Sequence, residues 1–144
     1  MYAEIFAKYT DLLRPYLPDP FHPVPACSID FQPLNHVIGQ HSQEAGGNAM
    51  GISGSDPDRI IIEIQCSWTL ASDDQLLHDI SRDLTEWLGN KVPEWLAEDP
   101  RAASYLPLLM NDASGDQNVT GSYRDYAKFR ALQASHVKGN IDRL

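Results

Sequence analysis

At 144 residues, with 42% apolar and 22% charged side chains, the chain has the length and balance of one globular domain. Twenty acidic residues against 11 Lys and Arg leave a net charge of −9, with no basic cluster, so a phosphate backbone would be repelled and nucleic acid is not an expected partner. No apolar run reaches the ~18 residues of a membrane helix, and the opening MYAEIFAKYTDLL lacks the regions of a secretory signal, so the expected compartment is the cytosol.

In that compartment Cys27 and Cys66 read as buried free thiols rather than as a disulfide, and Asn118-Val119-Thr120 as a glycosylation sequon arising by chance. His22, His36, His41, His78 and His136 are scattered. With no CxxC or HExxH spacing, no metal site is expected.

Taken in order, Tyr2, Ile5, Phe6, Tyr9, Leu12, Leu13 and Tyr16 recur at helical spacing and predict an amphipathic helix, closed by Pro15 and Pro18 and followed by a Pro-rich connection through Pro25. Ala26–Pro33 alternates, with Cys27, Ile29 and Phe31 on one face and Ser28, Asp30 and Gln32 on the other, which predicts a half-buried strand. A short helix is predicted around His36–Gln43, then a turn at Ala45-Gly46-Gly47-Asn48 and a short strand over Ala49–Ser53, ended by the Gly54-Ser55-Asp56-Pro57 turn.

Arg59–Thr69 carries the clearest strand pattern. Ile60, Ile62, Ile64, Cys66 and Trp68 fall on one face, and Ile61, Glu63, Gln65, Ser67 and Thr69 on the other. Ser72, with Gln75 at the capping-box position, predicts a helix whose buried stripe is Leu76, Leu77, Ile80, Leu84, Trp87 and Leu88 and which Gly89 and Pro93 break or kink. Tyr105–Met110 is apolar and extended, and Asn111–Thr120 is polar and reads as an ordered loop. Ser122 and Asp125 cap a last helix carrying Tyr123, Tyr126, Phe129 and Leu132, and the tail from Val137 to Leu144 shows no periodicity. Without a regular β-α-β rhythm, the expected fold is α+β, a single domain over 1–144 with an antiparallel sheet and helices packed on one face.

If the two strands pair with like faces aligned, Ser28, Asp30 and Gln32 come near Glu63, Gln65 and Ser67. Two carboxylates among amides and hydroxyls form a floor suited to general acid/base work, with the amides able to hold a carbonyl. The same alternation also describes a sheet that shows its polar face to water or to a partner.

Phe31-Gln32-Pro33-Leu34, Ala45-Gly46-Gly47-Asn48-Ala49-Met50-Gly51 and the Ile60–Trp68 strand resemble, in that order, the berberine-bridge-enzyme-like FAD-linked oxidases, most closely their fungal members. Tyr105-Leu106-Pro107-Leu108-Leu109-Met110-Asn111-Asp112, Asp116-Gln117-Asn118-Val119 and Ser122-Tyr123-Arg124-Asp125-Tyr126 are similar to the berberine-like C-terminal segment, about residues 105–135. The resemblance implies a substrate domain whose sheet roofs a flavin held by a separate FAD-binding domain, with Glu63 and Asp30 as catalytic carboxylates. It implies Gln32, Gln65, Ser28 and Ser67 as substrate-binding groups, and Asn111 as a residue near the flavin. Nothing here resembles the FAD domain itself, no Cys or His sits in a flavin-attachment motif, and the tail from His136 departs from the family pattern.

The expectation is therefore of no cofactor bound by this chain alone, with FAD present if a partner supplies its site. Three functions fit: a cofactor-free isomerase or cyclase acting on a small secondary metabolite, a subunit completing the flavin site of a separate oxidase, and a non-catalytic dimeric binding protein. A homo-oligomer or a flavoprotein complex is expected in each case, because surface that a lost domain once covered tends to find a new cover.

Overall fold

The computed structural model describes residues 1–16, 21, 23, 25–99 and 105–141, and no side chain beyond 136. The Pro-rich connection, His22 among it, lies largely outside the described residues, as does the end of the tail. The elements run α1 (Tyr2–Leu13), β1 (Ala26–Leu34), α2 (His36–Glu44), β2 (Arg59–Ser67), α3 (Asp74–Ala97) and α4 (Tyr126–Ile141). β1 and β2 form a two-stranded antiparallel ribbon, so the fold is α+β. The chain divides into two compact units, Met1–Gln32 with Ile62–Ala102 and Pro33–Ile61 with Ala103–Leu144.

In the first unit the apolar stripes of α1 and α3 meet over one face of the ribbon. Ile5, Leu84 and Leu88 are buried there, with Tyr9, Leu12, Ile29, Ile62, Ile64, Trp87 and Trp95 packed around them. A second cluster joins Leu77 and Ile80 to Leu12, Leu13 and Trp68. A two-stranded ribbon is marginal by itself, and this helical cover supplies the burial that it lacks. Leu76, expected in the α3 stripe, is exposed instead.

α3 corrects the predicted break. It runs unbroken through Gly89 and Pro93 for 24 residues. Pro93 cannot donate to the carbonyl of Gly89, but both residues lie on the exposed face, where water can take that carbonyl. Leu84, Leu88, Trp87 and Trp95 hold the opposite face across the same turns, and the two indoles pack edge to face with centroids 5.9 Å apart. The start also differs. A 3-10 turn over Ala71–Asp73 precedes the helix, and the Trp68 indole donates to Asp74 at 2.6 Å.

The second unit is built from loops around α2 and α4. Asn35 caps α2 by accepting from the Ile38 N–H at 3.2 Å. Gly39 packs against the backbone of Ser53, where a Cβ would lie 2.4 Å from the carbonyl oxygen. The strand predicted over Ala49–Ser53 does not form. The Asn48 amide donates to the Ile52 carbonyl at 2.8 Å and accepts from its N–H at 3.2 Å, while Gly51 takes φ +71, so the segment closes into a turn.

Residues 105–110 join no regular element. The Ser122 hydroxyl does not cap a helix either. It donates to the Val119 carbonyl at 2.6 Å and accepts from the Leu108 N–H at 3.0 Å, and α4 begins at Tyr126 and extends to Ile141, through the segment read as aperiodic.

Candidate functional site

The ribbon's register decides which side chains share a face. Cys27 and Cys66 have Cα atoms 4.1 Å apart, the spacing of a directly opposed pair that exchanges no backbone hydrogen bonds. Asp30 therefore stands opposite Glu63 and Ser28 opposite Gln65, all on the face away from α1 and α3. The Gln65 amide donates to Glu63 Oε1 at 2.6 Å and reaches Asp30 Oδ2 at 3.4 Å, and the Ser28 hydroxyl lies 3.4 Å from the same Asp30 oxygen. One amide thus ties two carboxylates on neighbouring strands.

Ser67 turns to the end of the ribbon, 3.4 Å from the Ala26 carbonyl, and Gln32 extends the polar row along β1. Glu63 is half-buried; Ser28, Asp30, Gln32, Gln65 and Ser67 are exposed. The arrangement can hold a polar ligand by several hydrogen bonds once something covers the face. Asn111 belongs to the second unit, exposed in a turn where the Asp112 N–H donates to the Leu109 carbonyl at 3.2 Å.

Cys27 and Cys66 are not free thiols. They form a disulfide across the ribbon, on the face under α1. The periodicity places both on the apolar face of their strands, but only the pairing brings them opposite one another, 39 residues apart in sequence. Among the described residues no helix is long and apolar enough to cross a membrane, and no group of His, Cys, Asp or Glu could hold a metal ion.

A second charged constellation, which sequence reasoning missed, lies in the second unit. Asp56 is 7% exposed and accepts from the Ser53 N–H at 2.8 Å. Arg124 grips it with both terminal nitrogens, one at 2.9 Å, and donates to the Gly51 carbonyl at 2.8 Å. Arg59 Nη2 sits 3.0 Å from Asp56, off the hydrogen-bonding direction, while its Nε donates to the Tyr105 carbonyl at 2.9 Å.

The Tyr105 ring lies under the Arg124 guanidinium at 3.9 Å. Its hydroxyl accepts from the Arg124 N–H at 3.0 Å and donates to the Met50 carbonyl. The Arg124 hydrogen bonds, with lesser help from Ser53 and Arg59, outweigh burial and hold the Asp56 carboxyl far below the usual carboxylate range. Arg124 and the Arg59 Nε have protein acceptors, and the Arg59 Nη2, without a hydrogen bond, is paired with Asp56 by charge, so we read the cluster as the clasp of the second unit rather than as a ligand site. The Gly-Ser-Asp-Pro turn marks Asp56 in the sequence, but no local signal points to an arginine 68 residues away.

An FAD pyrophosphate needs cations or converging N–H groups. The ribbon face presents two carboxylates, two glutamines and two serines, and Arg59 and Arg124 are engaged with Asp56, so these residues do not fit the nucleotide itself. Comparison with protein-family models, with curated proteins and with solved structures finds no match to this chain.

Proposed function

We propose that the polar ribbon face is one wall of an acid/base site for a small metabolite, closed by a second protein chain. The observation that carries this reading is the Gln65 amide, tied to Glu63 at 2.6 Å and lying 3.4 Å from Asp30 on the facing strand. In this reading Glu63 takes a proton from carbon or oxygen of the bound metabolite, and the Glu63–Asp30 pair returns that proton at a second position. The outcome is an isomerisation or cyclisation without net redox change. Gln32, Ser28 and Ser67 anchor the ligand's oxygens.

The exposure of most of these groups supports the need for a cover, since a site open to water offers little gain from positioned charges. A second reading draws on the resemblance to FAD-linked oxidases: the cover is a flavoprotein, this chain supplies the substrate-facing wall, and the complex oxidises a small alcohol or amine. Asn111 enters only in that reading, as a residue near the flavin.

The test compares wild type with Glu63→Gln, Asp30→Asn and the double variant, each incubated with small-molecule extract of the native source and read by mass spectrometry. The reading expects a product that wild type forms and the double variant does not, with circular dichroism unchanged. Identical profiles from wild type and double variant would overturn it. An absorbance spectrum of the complex purified from its native source separates the two covers, because only a flavoprotein partner brings the flavin bands.

A further inference from the structure

The two edges of the ribbon are not equivalent. Because Cys27 and Cys66 are a pair without mutual backbone hydrogen bonds, residues 26, 28 and 30 exchange theirs with β2, whereas Cys27, Ile29 and Phe31 turn their N–H and C=O outward. The Tyr9 hydroxyl, 2.5 Å from the Cys27 carbonyl, occupies the first outward acceptor. Pro33 ends the row and has no N–H to offer. Between them the N–H and C=O of Ile29 and Phe31 point away from β2, and among the described residues no strand lies on that side of β1.

Beside this open stretch α1 and β1 enclose a shallow groove of about 190 Å³, with Tyr2, Phe6, Tyr9, Ile29 and Phe31 in its lining. Phe6 is 69% exposed and Tyr2 52%. That volume is below the roughly 300–1,000 Å³ of ordinary small-molecule pockets and suits one or two side chains. On the other face of the same strand stands exposed Asp30, with Glu63 beyond it, in a chain of net charge −9.

From this juxtaposition we propose that the free edge of β1 binds an extended peptide of a partner protein, whose residues alternate between apolar and basic. The peptide adds a strand to Ile29 and Phe31. Strand alternation sends every second side chain, aliphatic or aromatic, into the groove with Tyr2, Phe6 and Tyr9. The remaining side chains fall on the polar face, where Lys or Arg meets Asp30. The acidic excess disfavours a second copy of this chain as the occupant, since pairing β1 with itself brings two Asp30 carboxylates onto one face. The proposal does not rest on the acid/base reading, because it concerns the strand edge and its groove.

The probe is the acetylated, amidated peptide Lys-Val-Lys-Phe-Lys-Val, titrated into the isotope-labelled full chain and followed by amide chemical shifts. Shifts are expected at Ile29, Phe31 and the α1 N-terminus. Only alternate peptide N–H groups face β1. Methylating that set of nitrogens should weaken binding at least about tenfold, methylating the other set should not, and Phe6→Ser on the protein or Glu for Lys in the peptide should weaken it similarly. Equal binding of the two methylated peptides, or shifts elsewhere than this edge, would overturn the proposal. So would a concentration-dependent dimer, seen by sedimentation, that protects the Ile29 and Phe31 amides without peptide.

Discussion

Replacing Asp56 with Asn keeps the shape of the clasp and removes its only anion. The Arg59 side chain is 8% exposed and would lose its counter-charge in a nearly dry position, whereas that of Arg124 is 40% exposed and can recover water. Leaving a buried charge unpaired costs about 3–5 kcal/mol, and the partial exposure of Arg124 points to the lower end, about 3 kcal/mol. At 1.36 kcal/mol per factor of ten, that is an opening of the second unit made easier by about a hundredfold. Native-state hydrogen exchange reads this directly in the amides of residues 48–56 and 120–126, while those of α3 in the first unit report the separate stability of α3. A change below about 1 kcal/mol in the second unit would refute the reasoning, because it would mean that Asp56 does not neutralise its arginines.

Acidification should act on the same clasp. The Asp56 carboxyl is held below its ordinary value of 3.8, so its contribution is present above that value and is lost as pH falls further below it. A fluorescence acid titration should show the second unit weakening only below about pH 4; loss beginning near neutrality would contradict the assignment. Asp58, lowered by the His36 backbone N–H and ring, acts in the same direction from an exposed position. In the first unit, reducing the Cys27–Cys66 disulfide or replacing both residues with Ser releases a loop with a sequence separation of 39. The chain-entropy argument puts the loss at up to about 4 kcal/mol, read as a shift in the urea midpoint of the first unit; an unchanged midpoint would show that the bond does not constrain the unfolded chain.

The sequence by itself determined the elements whose pattern repeats over several residues. The stripe through Ile5, Tyr9 and Leu12 marked α1, the alternation of Ile29 and Phe31 against Ser28 and Asp30 marked β1, and that of Ile62 and Ile64 against Glu63 and Gln65 marked β2. Those same alternations grouped Ser28, Asp30 and Gln32 on one face of β1 and Glu63, Gln65 and Ser67 on one face of β2, because a strand's period is two; the register then set the two faces side by side. Local chemistry was a poorer guide where a distant surface competed with it: α3 runs on through Gly89 and Pro93 because its other face is held by apolar packing, and Ala49–Ser53 is a turn because Asn48 closes it. What only the tertiary structure decided are the contacts made across long stretches of chain. Cys27 meets Cys66, Gln65 joins Asp30 to Glu63, and Arg124 reaches Asp56, each through a register or a loop closure whose free energy depends on the whole unit and leaves no mark on neighbouring residues.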